Sequence, residues 1–200
     1  MTWINTINFE QATGRLRKLY EKVVGPDNNV DNILMSHSLR PHTLEGHMAL
    51  YKNVLHHTAN KLPKYLLEAI GVFVSYLNRC DYCVDHHFEG YRKLLKNDKE
   101  AFAFKTAVES GELSRVLTDP EIRLFNYAEK LTKSPNTVSV QDIEILRASG
   151  YDDGEILEVN QVAAYFNYAN RTVLGLGVVT QGDELGLSPN SSDSNDWQHQ

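Results

Sequence analysis

Cys80, Cys83 and His87 are spaced three and four residues apart, which sets all three on one helical face where their side chains can meet. They are flanked upstream by a carboxylate, Glu68, twelve residues before Cys80. In one unbroken helix Glu68 would lie about 18 Å from Cys80, far beyond hydrogen-bond reach. The helix is therefore expected to break between them and fold Glu68 back toward His87. The natural place is the polar pair Asn78-Arg79, which follows the apolar run 70–77, with Asp81 suited to the first turn of a new helix.

Two cysteines in one helical turn have Cα atoms roughly 5 Å apart, inside the ~4.4–6.8 Å window that a disulfide requires. Cys80 and Cys83 can thus cycle between dithiol and disulfide with little backbone movement. A break at Asn78-Arg79 leaves both in the first turn of the second helix. There the unpaired N–H groups and the positive end of the helix dipole favour a thiolate, so a low thiol pKa is expected. His87 can take a proton from a thiol or give one to a leaving oxygen, and Glu68 would orient it.

Competing readings of the same residues are weaker. A disulfide closing so short a loop constrains the unfolded chain little, and two cysteines in 200 residues are not a disulfide framework. A closed structural zinc site usually takes four ligands, and no second CxxC is present. Thioredoxin-like chemistry expects the CxxC after a strand, whereas these flanks read as helix. Taken singly, His87 and Glu68 are ordinary helix residues, and only the four together point to a redox site.

The segment from Glu68-Ala69-Ile70 to Cys80-Asp81-Tyr82-Cys83-Val84-Asp85-His86-His87 resembles the core motif of the alkylhydroperoxidase D (AhpD) and carboxymuconolactone decarboxylase superfamily, most closely its peroxidase-related branch. The run from Asn32 to Pro41, the run Ala164 to Arg171 and Leu174-Gly175-Leu176-Gly177 resemble that branch as well, so the likeness spans about residues 5 to 180. It implies an all-α, multi-helical AhpD-like domain with the CxxC at the start of a helix. It also implies that Cys83 attacks peroxide, that Cys80 resolves the sulfenic acid to a disulfide, and that Glu68 and His87 relay protons. Other CxxC proteins would favour the N-terminal cysteine as nucleophile. The sequence departs from the family at Tyr82, where the alkylhydroperoxidase proper carries a second histidine; tyrosine donates a hydrogen bond but is a poor base near neutral pH. His86 points about 100° away on the helix and replaces that histidine poorly.

Helix signals run from end to end. Apolar positions recur over 9–24 until Gly25-Pro26-Asp27. Pro41 opens a stretch through His57, and Pro63 leads into the Glu68 helix. A short helix is expected over 101–109. Asp119-Pro120-Glu121 reads as cap and start of the next, to about Thr132. Ser139 and Asp142 resemble a capping box, and Asp152-Asp153 begin a last long helix. The reading is a single helical domain over 1–183 and a flexible polar tail over 184–200, rich in Ser, Asn and Asp from Ser188 with no apolar stripe.

A formal charge of −6 without a basic cluster argues against nucleic acid as partner. No apolar stretch approaches the ~18 residues of a membrane span, and the first ten residues lack a signal-peptide pattern. A cytoplasmic protein with reduced thiols follows. The histidines at 37, 42, 47, 56 and 57 read mostly as surface or packing residues, with His47 the choice should one join a pocket; Asn167, Asn170 and Arg171, within an aromatic run, read first as ordinary helix packing and second as lining a pocket or a subunit contact.

The expected function is a peroxidase-type oxidoreductase, with peroxiredoxin activity of the AhpD kind, that reduces hydrogen peroxide or organic hydroperoxides through Cys80 and Cys83. It needs no metal or bound cofactor: no flavin or dinucleotide signature is present. Electrons must come from an external dithiol, which the resemblance suggests is lipoyl or thioredoxin-like. The resemblance also implies a homo-oligomer, trimer or hexamer. The alternatives are a carboxymuconolactone decarboxylase-like enzyme on a small acidic substrate, and a non-catalytic redox sensor or adaptor.

Overall fold

A computed structural model describes residues 2–25 and 28–187. Among them are no strands and nine α-helices: α1 (Gly14–Val23), α2 (Asn32–Met35), α3 (Pro41–Tyr51), α4 (Lys64–Leu77), α5 (Asp81–Leu95), α6 (Asp98–Ser110), α7 (Asp119–Lys133), α8 (Val140–Ala148) and α9 (Asp153–Leu176). The fold is all-α, as the periodicity predicts.

α4 is the hub. Every residue from Leu66 to Ser75 is buried, and a helix apolar on all sides belongs at the centre of a bundle. α5 folds back along it, while α6, α7 and α9 pack around it. The approach of α9 is close enough that a Cβ on Gly71 would lie 2.2 Å from the Phe166 ring; glycine there lets the two helices touch. α9 presents Val159, Val162, Ala163, Phe166 and Ala169 to this core.

Several boundaries differ from the sequence expectation for local reasons. α1 begins at Gly14 rather than Phe9, because the Asn8 side chain accepts from the Gln11 N–H (2.9 Å) and holds a turn ahead of it. The stretch opened by Pro41 is α-helical only to Tyr51; Lys52–His56 widens into a π-helical turn. α6 starts at Asp98, capped by the Asn97 side chain. α7 is capped by Thr118, one residue before the expected cap, with its hydroxyl and backbone N–H both donating to Glu121. Ser139 and Asp142 do engage at the start of α8, where the Ser139 N–H donates to the carboxylate at 2.7 Å. Pro26 and Asp27 of the expected stop, and residues 188–200 of the expected tail, lie outside the described residues. Residues 178–187 run back along α5, from Asp183 beside Tyr82 and His86 to Gly186, whose carbonyl accepts from Lys93 Nζ (3.1 Å) near the helix end.

Candidate active site

α4 ends at Leu77, and Arg79, at φ +57°, reverses the chain so that Cys80 caps α5 and Cys83 is its third residue. A left-handed non-glycine residue needs outside support. α9 provides it: Asn78 Nδ2 donates to Asn167 Oδ1 (3.0 Å) and Asn170 Oδ1 (2.9 Å), and Asn170 Nδ2 donates to Ser75 Oγ (3.0 Å). Arg171 Nη1 in turn donates to the Asn167 side chain (2.7 Å). These polar residues of α9 therefore clamp the redox turn.

Both cysteines are free, with their sulfurs 2.6 Å apart. Their surroundings differ. Cys80 is 0 % exposed, in a buried cluster with Cys83, Tyr82, Val173 and Val178, and does not line the cavity beside Cys83. Cys83 is 3 % exposed and faces a cavity of about 50 Å³ open to the centre of a water molecule, shared with Glu68, His87, His47, Tyr51 and Tyr165.

The hairpin brings Glu68 on α4 against His87 on α5, where His87 Nδ1 donates to Glu68 Oε2 at 2.7 Å. With Nδ1 protonated by that bond, Nε2 is the basic nitrogen of the neutral ring. His56, delivered by the π-helical turn, places Nε2 3.7 Å from Glu68 Oε1. Phe166 meets the His87 ring edge-on at 4.5 Å and fixes its plane.

The expected low thiol pKa is not found at Cys83. Burial pushes the Cys83 thiol well up, the adjoining Cys80 sulfur adds to the rise, and the Asn170 side chain opposes it. The hydrogen bond between the sulfurs lowers Cys80. The helix N-terminus does favour an anion, but at Cys83 the cost of removing it from water is larger.

Tyr82 and His86, on the neighbouring face of α5, converge on a second buried carboxylate. Tyr82 Oη donates to Asp183 Oδ2 (2.7 Å), His86 Nε2 donates to the same oxygen (3.2 Å), and the Asn32 N–H donates to both carboxylate oxygens (3.1 Å each). The Tyr82 hydroxyl also accepts from the Ile33 N–H at 3.2 Å. Asp183 thereby pins the segment 178–187 across α2 and α5, with Leu187 closing one wall of the cavity.

Compared with solved structures, the chain superposes on an alkylhydroperoxidase AhpD core, an uncharacterized peroxidase-related protein from Ralstonia eutropha JMP134, at a TM-score of 0.77 and 22 % identity, covering 89 % of this chain and 91 % of the other. The chain has the fold of the AhpD core. An uncharacterized peroxidase-related protein from Silicibacter sp. TM1040 matches at 0.67 and 24 % identity over 82 % of this chain and 81 % of its own. The debrominase Bmp8, solved with 2,3,4-tribromopyrrole, matches at 0.64 and 16 % identity over 82 % of each chain. No family model matches the sequence, and no curated protein matches it.

Within this AhpD-like fold, Glu68, Cys83 and His87 share one cavity and Cys80 stands directly behind Cys83. His47 also reaches the cavity, whereas His42 is exposed and His57 only half-buried. Sequence reasoning missed Tyr51 and Tyr165 as cavity walls, His56 beside Glu68, and Asp183. The α9 aromatic run was the available signal for Tyr165. Nothing local marks Asp183, whose partner Tyr82 lies about a hundred residues earlier. Among the described residues no group of three or more His, Cys, Asp or Glu side chains could hold a metal ion, and no helix is long and apolar enough to cross a membrane.

Proposed function

We propose that this chain is a thiol-dependent peroxidase that reduces hydrogen peroxide or a small organic hydroperoxide. The observation that carries the reading is that Cys83 shares a small cavity with a histidine already hydrogen-bonded to a buried glutamate, while the second sulfur lies 2.6 Å from it. Burial raises the Cys83 thiol, so attack calls for a base beside it, and in this reading His87, one helical turn along α5, is that base. The Cys83 thiolate attacks one peroxide oxygen, the O–O bond breaks, water or an alcohol leaves, and Cys83 becomes a sulfenic acid. The Cys80 thiol condenses with it, releasing water and forming the disulfide. An external dithiol, lipoyl or thioredoxin-like, then reduces the disulfide.

Cavity size favours the smaller substrate. At about 10–15 Å³ per water in the same measure, the space admits a few heavy atoms. A brominated pyrrole, the ligand of the debrominase on this fold, is a poor fit to it. The cytoplasmic setting and the homo-oligomer, trimer or hexamer, belong to the same proposal. Leu157, Tyr168 and Leu174, exposed along α9, are apolar surface that subunit contacts would cover.

The test is stopped-flow oxidation of the reduced protein by hydrogen peroxide and by an organic hydroperoxide, with thiols counted afterwards. Wild type is expected to lose two thiols rapidly, Cys80→Ser to stop at the sulfenic acid, and Cys83→Ser to be inert. Oxidation no faster than that of a free small thiol overturns the reading. In that case, turnover of a small acidic substrate that survives Cys83→Ser points to a decarboxylase, and rapid exchange with a protein disulfide points to a redox adaptor.

A further inference from the structure

Cleaving a peroxide moves two protons. One leaves the attacking thiol, and one must reach the departing oxygen, because hydroxide and alkoxide are poor leaving groups. Glu68 and His87 are arranged for the first. Tyr82, beside Cys83 in sequence, is not available for the second, since its hydroxyl donates to Asp183 and accepts from the Ile33 N–H. The cavity wall holds another imidazole from a different helix. His47 of α3 is buried and lines the same cavity as Cys83, with its Nε2 3.5 Å from the hydroxyl of Tyr165, which lines it too.

His47 also packs against a second buried imidazole. The His37 ring lies 5.1 Å from it, centroid to centroid, and His37 Nδ1 is 2.9 Å from the hydroxyl of Thr43, an exposed residue. The other nitrogen of His37, Nε2, is buried and makes no hydrogen bond. Burial lowers the pKa of His37 and so favours its neutral ring.

We infer that His47, supported by the Tyr165 hydroxyl, is a second catalytic residue that protonates the leaving oxygen of the peroxide. The inference rests on the peroxidase reading and deepens it. As the Cys83 sulfur bonds to one oxygen, the O–O electron pair goes to the other, which takes its proton from His47 and departs as water. Sulfur is oxidised to the sulfenic acid and the peroxide is reduced. The thiol proton passes to His87, and both imidazoles return to their starting protonation states by exchange with solvent before the next turnover.

The experiment compares two small oxidants in single-turnover reactions of wild type, His47→Gln and Tyr165→Phe. Hydrogen peroxide needs a proton on its leaving oxygen, whereas peracetic acid releases acetate, which needs none. His47→Gln is expected to slow hydrogen peroxide about a hundredfold and peracetic acid less than about threefold, with Tyr165→Phe showing the same selectivity at smaller size. Equal losses toward both oxidants, or no loss toward either, overturn the assignment, because a residue that merely shapes the cavity has no reason to distinguish leaving groups. A wild type that outpaces a free thiol with neither oxidant overturns the peroxidase reading itself, a different and recognisable result.

Discussion

His86 and His87 are neighbours on α5, and each ends on a buried carboxylate, yet the two carboxylates are held by different partners. Asp183 accepts from the Asn32 N–H, the Tyr82 hydroxyl and His86, and those partners fasten the segment 178–187 to the helices beneath it. Glu68 accepts from His87 at 2.7 Å, with His56 farther off at 3.7 Å, and both Glu68 and His87 line the cavity. A carboxylate held by a backbone N–H and a hydroxyl is a structural anchor. Glu68, whose close partner is the His87 imidazole, is the carboxylate that the proposed mechanism uses to move protons. The number of fixed donors, more than residue type, separates the two.

The sharpest test of this contrast is Glu68→Gln, which keeps the shape and removes the charge behind His87. Single-turnover oxidation by hydrogen peroxide is expected to slow by about a hundredfold or more, with the far-ultraviolet circular dichroism unchanged. Asp183→Ala should do the reverse. It leaves a buried N–H, a hydroxyl and an imidazole without their acceptor, at a cost of about 3 kcal/mol, or about 6–12 °C in Tm for a chain of this size. Peroxide oxidation below the transition should stay within about threefold of wild type. A large rate loss in Asp183→Ala without a fall in Tm would break the distinction.

A smaller effect of the same kind is expected for Tyr82→Phe, which removes one donor to Asp183 and one acceptor for the Ile33 N–H. Thermal melting should report a loss of about 1–2 kcal/mol, with the peroxide rate nearly unchanged. If the rate falls as far as in Glu68→Gln, Tyr82 belongs to the chemistry after all. The smallest change concerns pH. Burial and the neighbouring Cys80 sulfur both raise the Cys83 pKa, so the thiolate forms, and the oxidation rate climbs, only above the ordinary thiol range. Cys80→Ser removes the second of these causes. The rise in rate should therefore move to lower pH in that variant while staying above that of a free thiol, as a rate–pH profile of sulfenic acid formation would show.

Much of the scaffold was legible in the chain. Period-3.6 apolar patterning marked most of the helices, and the requirement that Glu68 meet His87 placed the reversal at Asn78-Arg79. The errors were local. Side chains such as Asn8, Asn97 and Thr118 compete for the ends of helices, and the π-helical turn at Lys52–His56 leaves no periodic signature. The reach of His47 into the cavity rested on α3 lying near the motif, which a stripe of apolar residues does not specify.

By itself, the sequence determined an all-α chain whose two cysteines share a helical turn with a histidine, because spacing along a helix translates directly into neighbourhood in space. Only the tertiary structure decided that Cys83 lines the cavity while Cys80 does not, that burial raises the Cys83 thiol, and that Asp183 accepts from Tyr82. Those outcomes depend on burial and on partners from distant segments. Desolvation and long-range hydrogen bonds are set by what packs on a residue, and no local pattern records that.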